Sequence, residues 1–135
     1  MYLLDTNACI KILNSSSAEL VERFRLQSPS AIRLCSVVKA ELDYGARKSA
    51  RPADNLRVLG EFFGPLVSLP FDDDCSKKYG VIRSELERMG QSIGPNDLMI
   101  ASIATTHDLT LVTHDVDEFS RIVGLSWEDW ERPRT

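Results

Sequence analysis

The sequence is short of cysteine, of histidine and of long apolar stretches, and each shortage closes off a class of function. Cys9, Cys35 and Cys75 are scattered over 135 residues with no C-x-x-C pairing. An odd, dispersed set of this kind suggests neither a disulfide framework nor a zinc motif; it fits small core residues in a reducing compartment. Only His107 and His114 supply imidazoles, and His107 falls at a helix end, so a histidine-pair ribonuclease has little to draw on. No run approaches the roughly 18 apolar residues of a membrane span. Met1-Tyr2-Leu3-Leu4 runs straight into Asp5 without the basic segment that opens a secretory signal. The expectation is a cytoplasmic protein with no membrane partner. There is also no G-x-S-x-G elbow and no Gly-Lys-Ser/Thr loop, which removes two common routes to hydrolysis and nucleotide binding.

What is present is an ordinary globular composition, 43% hydrophobic and 27% charged, at a length that suits one domain spanning 1–135. The net charge of −4 argues at first sight against a nucleic-acid partner. The acidic excess lies in the second half, however, and converging carboxylates that bind cations change the sign of the local field.

Strand-like and helix-like segments alternate. Tyr2 to Asp5 suits a first strand, followed by a helix to about Leu13 with Thr6 or Asn7 as its cap. Ala18 to Leu26 has a helical stripe, Ala31 to Val38 reads as a second strand, and a helix carrying Glu41 follows, with Gly45 as its weak point or end. Pro52 opens another helix. Gly64-Pro65 stops it, and Leu66 to Leu69 gives a third strand. Asp72-Asp73-Asp74 suits the positive end of a long helix closing near Gly90. Gly94-Pro95-Asn96 then caps an all-round apolar helix from Asp97 to His107. Thr110 to Thr113 is a fourth strand, and Val123 to Trp127 is an edge-strand candidate. Alternation of this kind predicts an α/β fold with a mainly parallel sheet.

In such sheets functional groups gather at the carboxyl ends of the strands. Asp5 ends the first strand and Asp115 follows the fourth, while Glu41 and Asp97 lie in early helical turns. Four acids far apart in sequence are thereby expected at one edge. Like charges in close proximity raise one another's pKa, and hard divalent ions with oxygen ligands resolve that conflict. Such ions would activate a water for in-line attack at a phosphate. Thr6 and Thr113 stand next to these acids and suit orienting roles, with Asn7 and Asp117 as further neighbours. Each acid alone also reads as a cap or a solvated helix face.

Taken together, Leu4-Asp5-Thr6-Asn7, Ser36 to Leu42 with Tyr44 to Ser49, Ile93 to Asp97, and Thr110 to Thr113 with Glu118-Phe119 resemble the PIN-domain toxins of the VapC type. Gly124-Leu125 and Glu128-Asp129-Trp130 add to the likeness, which covers nearly the whole chain in order. The resemblance implies a three-layer α/β/α sandwich and an endoribonuclease dependent on Mg²⁺ or Mn²⁺. It also implies neutralisation by a cognate antitoxin, a homodimer, and contact with DNA only through that antitoxin. Asp5, Glu41, Asp97 and Asp115 fall on its acidic positions. His114-Asp115 stands where many relatives read Asn-Asn, which leaves Asp117 as a rival for the fourth place. The pattern is most similar to the branch that cuts initiator tRNA in the anticodon stem-loop; a catalytically inactive binding module acting through its antitoxin on DNA is the alternative.

Arg47, Lys48 and Arg51 are the best basic cluster for RNA phosphates, with Lys39 and Lys11 near the acids. Trp127 and Trp130 suit base stacking or, more simply, edge-strand packing. Leu20, Phe24, Phe62 and Phe63 suit either an antitoxin surface or the core.

Overall fold

In the computed structural model, which describes residues 1–133, the strands are very short and wholly parallel. They are β1 (Tyr2–Leu4), β2 (Ile32–Cys35), β3 (Val67–Leu69), β4 (Thr110–Val112) and β5 (Trp127–Glu128), in the spatial order β3-β2-β1-β4-β5. Leu4 pairs with Val112, Tyr2 with Ile32, and Cys35 with Leu69. Strands this short cannot hold themselves together, so they are stabilised by burial on both faces. Leu3, Leu4, Leu34, Leu111 and Val112 are at most 1% exposed.

Seven helices connect them: α1 (Thr6–Asn14), α2 (Ala18–Arg25), α3 (Ser36–Arg47), α4 (Pro52–Phe63), α5 (Asp73–Arg88), α6 (Pro95–Thr106) and α7 (Val116–Phe119). The connections β1→β2→β3 step to one side of β1, and β3→β4→β5 step to the other. Right-handed crossovers therefore place α1–α4 on one face and α5–α7 on the opposite one. The three-layer sandwich expected from the sequence follows. Among the described residues no helix is long and apolar enough to cross a membrane.

Several boundaries differ from the sequence expectation. The cap of α1 is Asp5, whose carboxylate accepts the Ala8 N–H, and not Thr6 or Asn7. The second strand stops at Cys35. Val37 and Val38 favour strands by propensity, but Val38, Leu42 and Ala46 recur every four residues and bury one stripe of a helix. Gly45 lies inside that helix. The apolar helix begins at Pro95, whose fixed φ suits a first turn. Its one buried polar side chain, Ser102, is satisfied by donating to the Leu98 carbonyl at 2.7 Å. The edge strand starts only at Trp127, because Gly124 turns the chain at φ +87° and leaves Val123 83% exposed. Helix α7 went unforeseen.

The paired aromatic helices resolve in favour of packing. Leu20 is buried, and Phe24 lies against Phe62 with ring centroids 5.9 Å apart. Trp130 is 3% exposed and meets Tyr2 edge-on at 4.9 Å, while Trp127 packs on the core from β5. Neither ring is set out for stacking on a base.

Candidate active site

Strands β1 and β4 are neighbours whose onward connections leave in opposite directions, and this divergence opens a crevice at their carboxyl ends. Asp5 is anchored there by its own backbone, whose N–H donates to the Val112 carbonyl at 3.2 Å. Its Oδ1 accepts the Ala8 N–H at 2.8 Å, and the residue is only 5% exposed. Across the crevice, Thr113 is 1% exposed and has its hydroxyl between two acids. It hydrogen-bonds the Asp5 carboxylate and accepts the Asp115 N–H at 3.0 Å. One buried hydroxyl thus fixes both strand-end positions. Asp115 caps α7, accepting the Glu118 N–H at 3.4 Å.

Asp97, in the first turn of α6, completes the group. Asp97, Asp115 and Glu118 each bring a carboxylate oxygen within 4.8 Å of the others. Burial pushes the Asp5 carboxyl up to about 6, with the charges of Asp97 and Asp115 adding to the rise against the hydrogen bonds from Thr113 and Ala8. Burial also raises Asp97, as does the Asp115 charge, while a hydrogen bond from Glu118 works the other way. Glu118 is pushed up to about 7, first by burial and then by the two aspartates it faces. Among the described residues, no lysine, arginine or histidine forms an ion pair with any of these four carboxylates. The cluster is an uncompensated acid site whose donors are all oxygen, a set that fits a hard divalent cation.

Glu41 stands beside this group and is coupled to it through Thr6, whose hydroxyl donates to Glu41 Oε1 at 3.0 Å. It separates two open grooves. One, of about 430 Å³, lies between α3 and α6 beside Asn96 and Met99. The other, of about 320 Å³, is lined by Ile10, Leu13, Leu42, Val58 and Leu59. Asn7 and Asp117 are exposed, and Asp117 is not one of the three carboxylates grouped with Asp97. Of the two rivals, the geometry brings in Asp115. Glu118 joins these carboxylates although it is not among the four acids expected at the edge; Asp115-Val116-Asp117-Glu118 has the spacing of a capping box, which places it one turn from Asp115.

The basic candidates are more committed than the sequence suggests. Arg47 is paired with Asp43 one turn earlier. The ammonium groups of Lys48 and Lys39 lie 4.9 Å from the ring centroids of Tyr44 and Phe63. Lys11 bonds Glu131 at 2.7 Å. Arg51 is exposed ahead of Pro52.

A second charged group adjoins the crevice. His114 Nδ1 lies 3.0 Å from Asp129 Oδ2 and 3.8 Å from Glu131 Oε2, Arg132 reaches Asp129 at 3.2 Å, and Arg23 donates to the Asp129 carbonyl at 3.1 Å.

Residues 2–125 match the PIN domain family. The chain is 38% identical over 133 residues to the ribonuclease VapC2 of Rickettsia felis, covering 98% of this chain and 99% of that protein. It is 40% identical over 129 residues to the tRNA(fMet)-specific endonuclease VapC of Salmonella typhimurium, covering 96% and 97%. The fold superposes with a TM-score of 0.89 on the VapBC2 complex of Rickettsia felis bound to a promoter DNA fragment, at 38% identity and covering 96% of this chain and 98% of the other.

Proposed function

This chain belongs to the PIN-domain family, and from that premise we propose that it is the ribonuclease toxin of a toxin–antitoxin pair, with tRNA, initiator tRNA foremost, as its substrate. The observation that carries the reading is the convergence of Asp5, Asp97, Asp115 and Glu118 on the crevice between β1 and β4, with no basic partner among the described residues. These four carboxylates, with Glu41 linked through Thr6, would hold Mg²⁺ or Mn²⁺. A divalent ion there supplies charge neutralisation at the phosphate and an acidified water.

The protein's own residues do the rest. Asp5 and Asp115 keep their positions because Thr113 bonds both. Glu118, facing Asp97 and Asp115, is pushed up to about 7, and a cation held by these acids would favour its ionised form. Hydrolysis by water leaves the 2′-hydroxyl out of the reaction, so the products carry a 5′-phosphate and a 3′-hydroxyl.

A cognate antitoxin is the partner, and DNA is reached through it. Ile10 and Val58, 42% and 38% exposed, border the apolar groove that ends at Glu41, so a segment covering them would lie against the acids. We take the working form to be a homodimer, with the domain extending over 1–135.

Sequencing the 5′ ends of cellular RNA after brief expression tests the reading. Cuts concentrated in the anticodon stem-loop of initiator tRNA, absent for the Asp97→Asn variant, are expected. Cuts that persist in that variant would remove the acid cluster from the reaction.

A further inference from the structure

Asp72 and Cys75, three residues apart at the start of α5, meet His107, 32 residues after Cys75, outside the crevice acids. Asp72 caps α5, using Oδ1 to accept the Cys75 N–H at 3.0 Å. Cys75 is fully buried in the first turn of that helix, its thiol 3.8 Å from the Pro70 carbonyl. His107 is the C-terminal cap residue of α6, the helix packed along α5. A carboxylate oxygen, the Sγ and an imidazole nitrogen all lie within 4.8 Å of one another.

We propose that these three side chains form a second cation site, distinct from the crevice, for a Zn²⁺-class ion with water as the fourth ligand. Bonds of about 2.0–2.3 Å place the ligands of a tetrahedral zinc about 3.3–3.8 Å apart. Closing the observed triad to that size needs a rotation of the exposed His107 ring and a smaller one of Asp72, which stays bonded to the Cys75 N–H. Asp72 caps with one oxygen and keeps the other for the ion. The thiol gives up its proton to solvent on binding. A thiolate and an imidazole select zinc over Mg²⁺, whereas the all-oxygen crevice does the reverse. Two ions of different hardness thus have separate addresses on one small domain. The scattered cysteines showed no zinc spacing because the third ligand comes from a different helix, 32 residues after Cys75. A bound ion would tie the start of α5 to the end of α6, the helix that carries Asp97 in its first turn.

Cobalt titration of the chelator-treated full chain is the test, because a thiolate–Co²⁺ charge-transfer band reports sulfur ligation and carboxylate sites do not produce it. One equivalent of Co²⁺ is expected to give that band together with intense tetrahedral d–d bands, displaced by Zn²⁺. The band is expected to vanish in Cys75→Ser and to persist in Cys9→Ala, Cys35→Ala and Asp5→Asn. Removing the exposed imidazole in His107→Ala, a change that leaves the core untouched, should weaken Co²⁺ affinity at least tenfold and abolish the zinc-induced rise in Tm. That variant decides the question if Cys75→Ser does not fold. Absence of the band at one equivalent, or its survival unchanged in His107→Ala, overturns the site.

Discussion

Two groups of carboxylates flank the exit of β4, and they are built on opposite principles. On one side Asp129 and Glu131 are surrounded by His114, Arg132 and Lys11, with Arg23 on the Asp129 backbone. On the other side Asp5, Asp97, Asp115 and Glu118 face one another with no basic side chain among the described residues. Both groups are acidic and include a buried aspartate, at 8% exposure for Asp129 and 5% for Asp5. The difference lies in who supplies the compensating charge. A carboxylate paired within the protein is part of the scaffold. One left to repel its neighbours is held in readiness for something from outside. Adjacent residues divide the labour, since His114 turns to the compensated group and Asp115 to the other.

The sharpest break in that comparison is Asp97→Asn. The substitution keeps a good residue for the first turn of α6 and removes one anion, so cleavage of RNA in Mg²⁺ should fall by at least about a hundredfold. The metal-free protein should at the same time unfold at a higher temperature than the parent. Loss of activity with a lower Tm would instead mean that Asp97 belongs to the scaffold.

The second effect is a pH dependence with the sign opposite to an ordinary salt bridge. The Asp5 carboxyl is raised from 3.8 to about 6, so between those values the folded chain binds a proton that the unfolded chain releases. Stability therefore falls as pH rises through this window and is regained on acidification, by up to about 3 kcal/mol for a shift of this size. Comparing denaturant unfolding of metal-free parent and Asp5→Asn at pH 4.5 and 7.5 isolates the contribution. The variant, which retains an N-cap side chain, should show the flatter profile. Added Mg²⁺ should flatten that of the parent.

Asp129→Asn is the mirror experiment and should have a smaller effect of the opposite kind. It removes the anion facing His114 and Arg132, both more than half exposed, so the loss of stability should be about 1–2 kcal/mol. Turnover per folded molecule should change little. A large loss of turnover without loss of stability would show that the compensated group also positions the reacting one.

How much of this contrast was legible in the sequence depended on how local each signal was. Asp5, Asp97 and Asp115 could be placed because each sits at a strand end or helix start, and parallel topology sends such positions to one edge. The all-round apolar run from Leu98 to Ala104 announced a buried helix for the same reason. Glu118 was missed because α7 is only four residues long, too short for periodicity to register. The second strand is shorter than β-branched Val37-Val38 suggest, because the four-residue spacing of Val38, Leu42 and Ala46 makes that segment a helix. Least visible was compensation itself. Lys11 and Glu131 are 120 residues apart, and nothing local says that they meet.

The same blindness affects the basic cluster, where the smallest effect is expected. Arg47, Lys48 and Arg51 look equivalent as letters, but Arg47 has Asp43 as its partner and Lys48 lies over Tyr44, while Arg51 is exposed at the head of α4. Phosphate contacts made by such groups appear in the salt dependence of RNA binding, at about 0.7 in the logarithmic slope per contact for single strands. Arg51→Ala should therefore lower the slope by roughly one contact, and Lys48→Ala by no more than that. Arg47→Ala should barely change it, because its charge is already spent locally. Asp43→Asn carries the converse: releasing Arg47 should steepen the slope and tighten binding modestly. Equal effects from all three alanine variants would mean that RNA pulls Arg47 off Asp43 on binding. The surface pair would then resemble the crevice acids rather than the compensated group, its charge held for an outside partner.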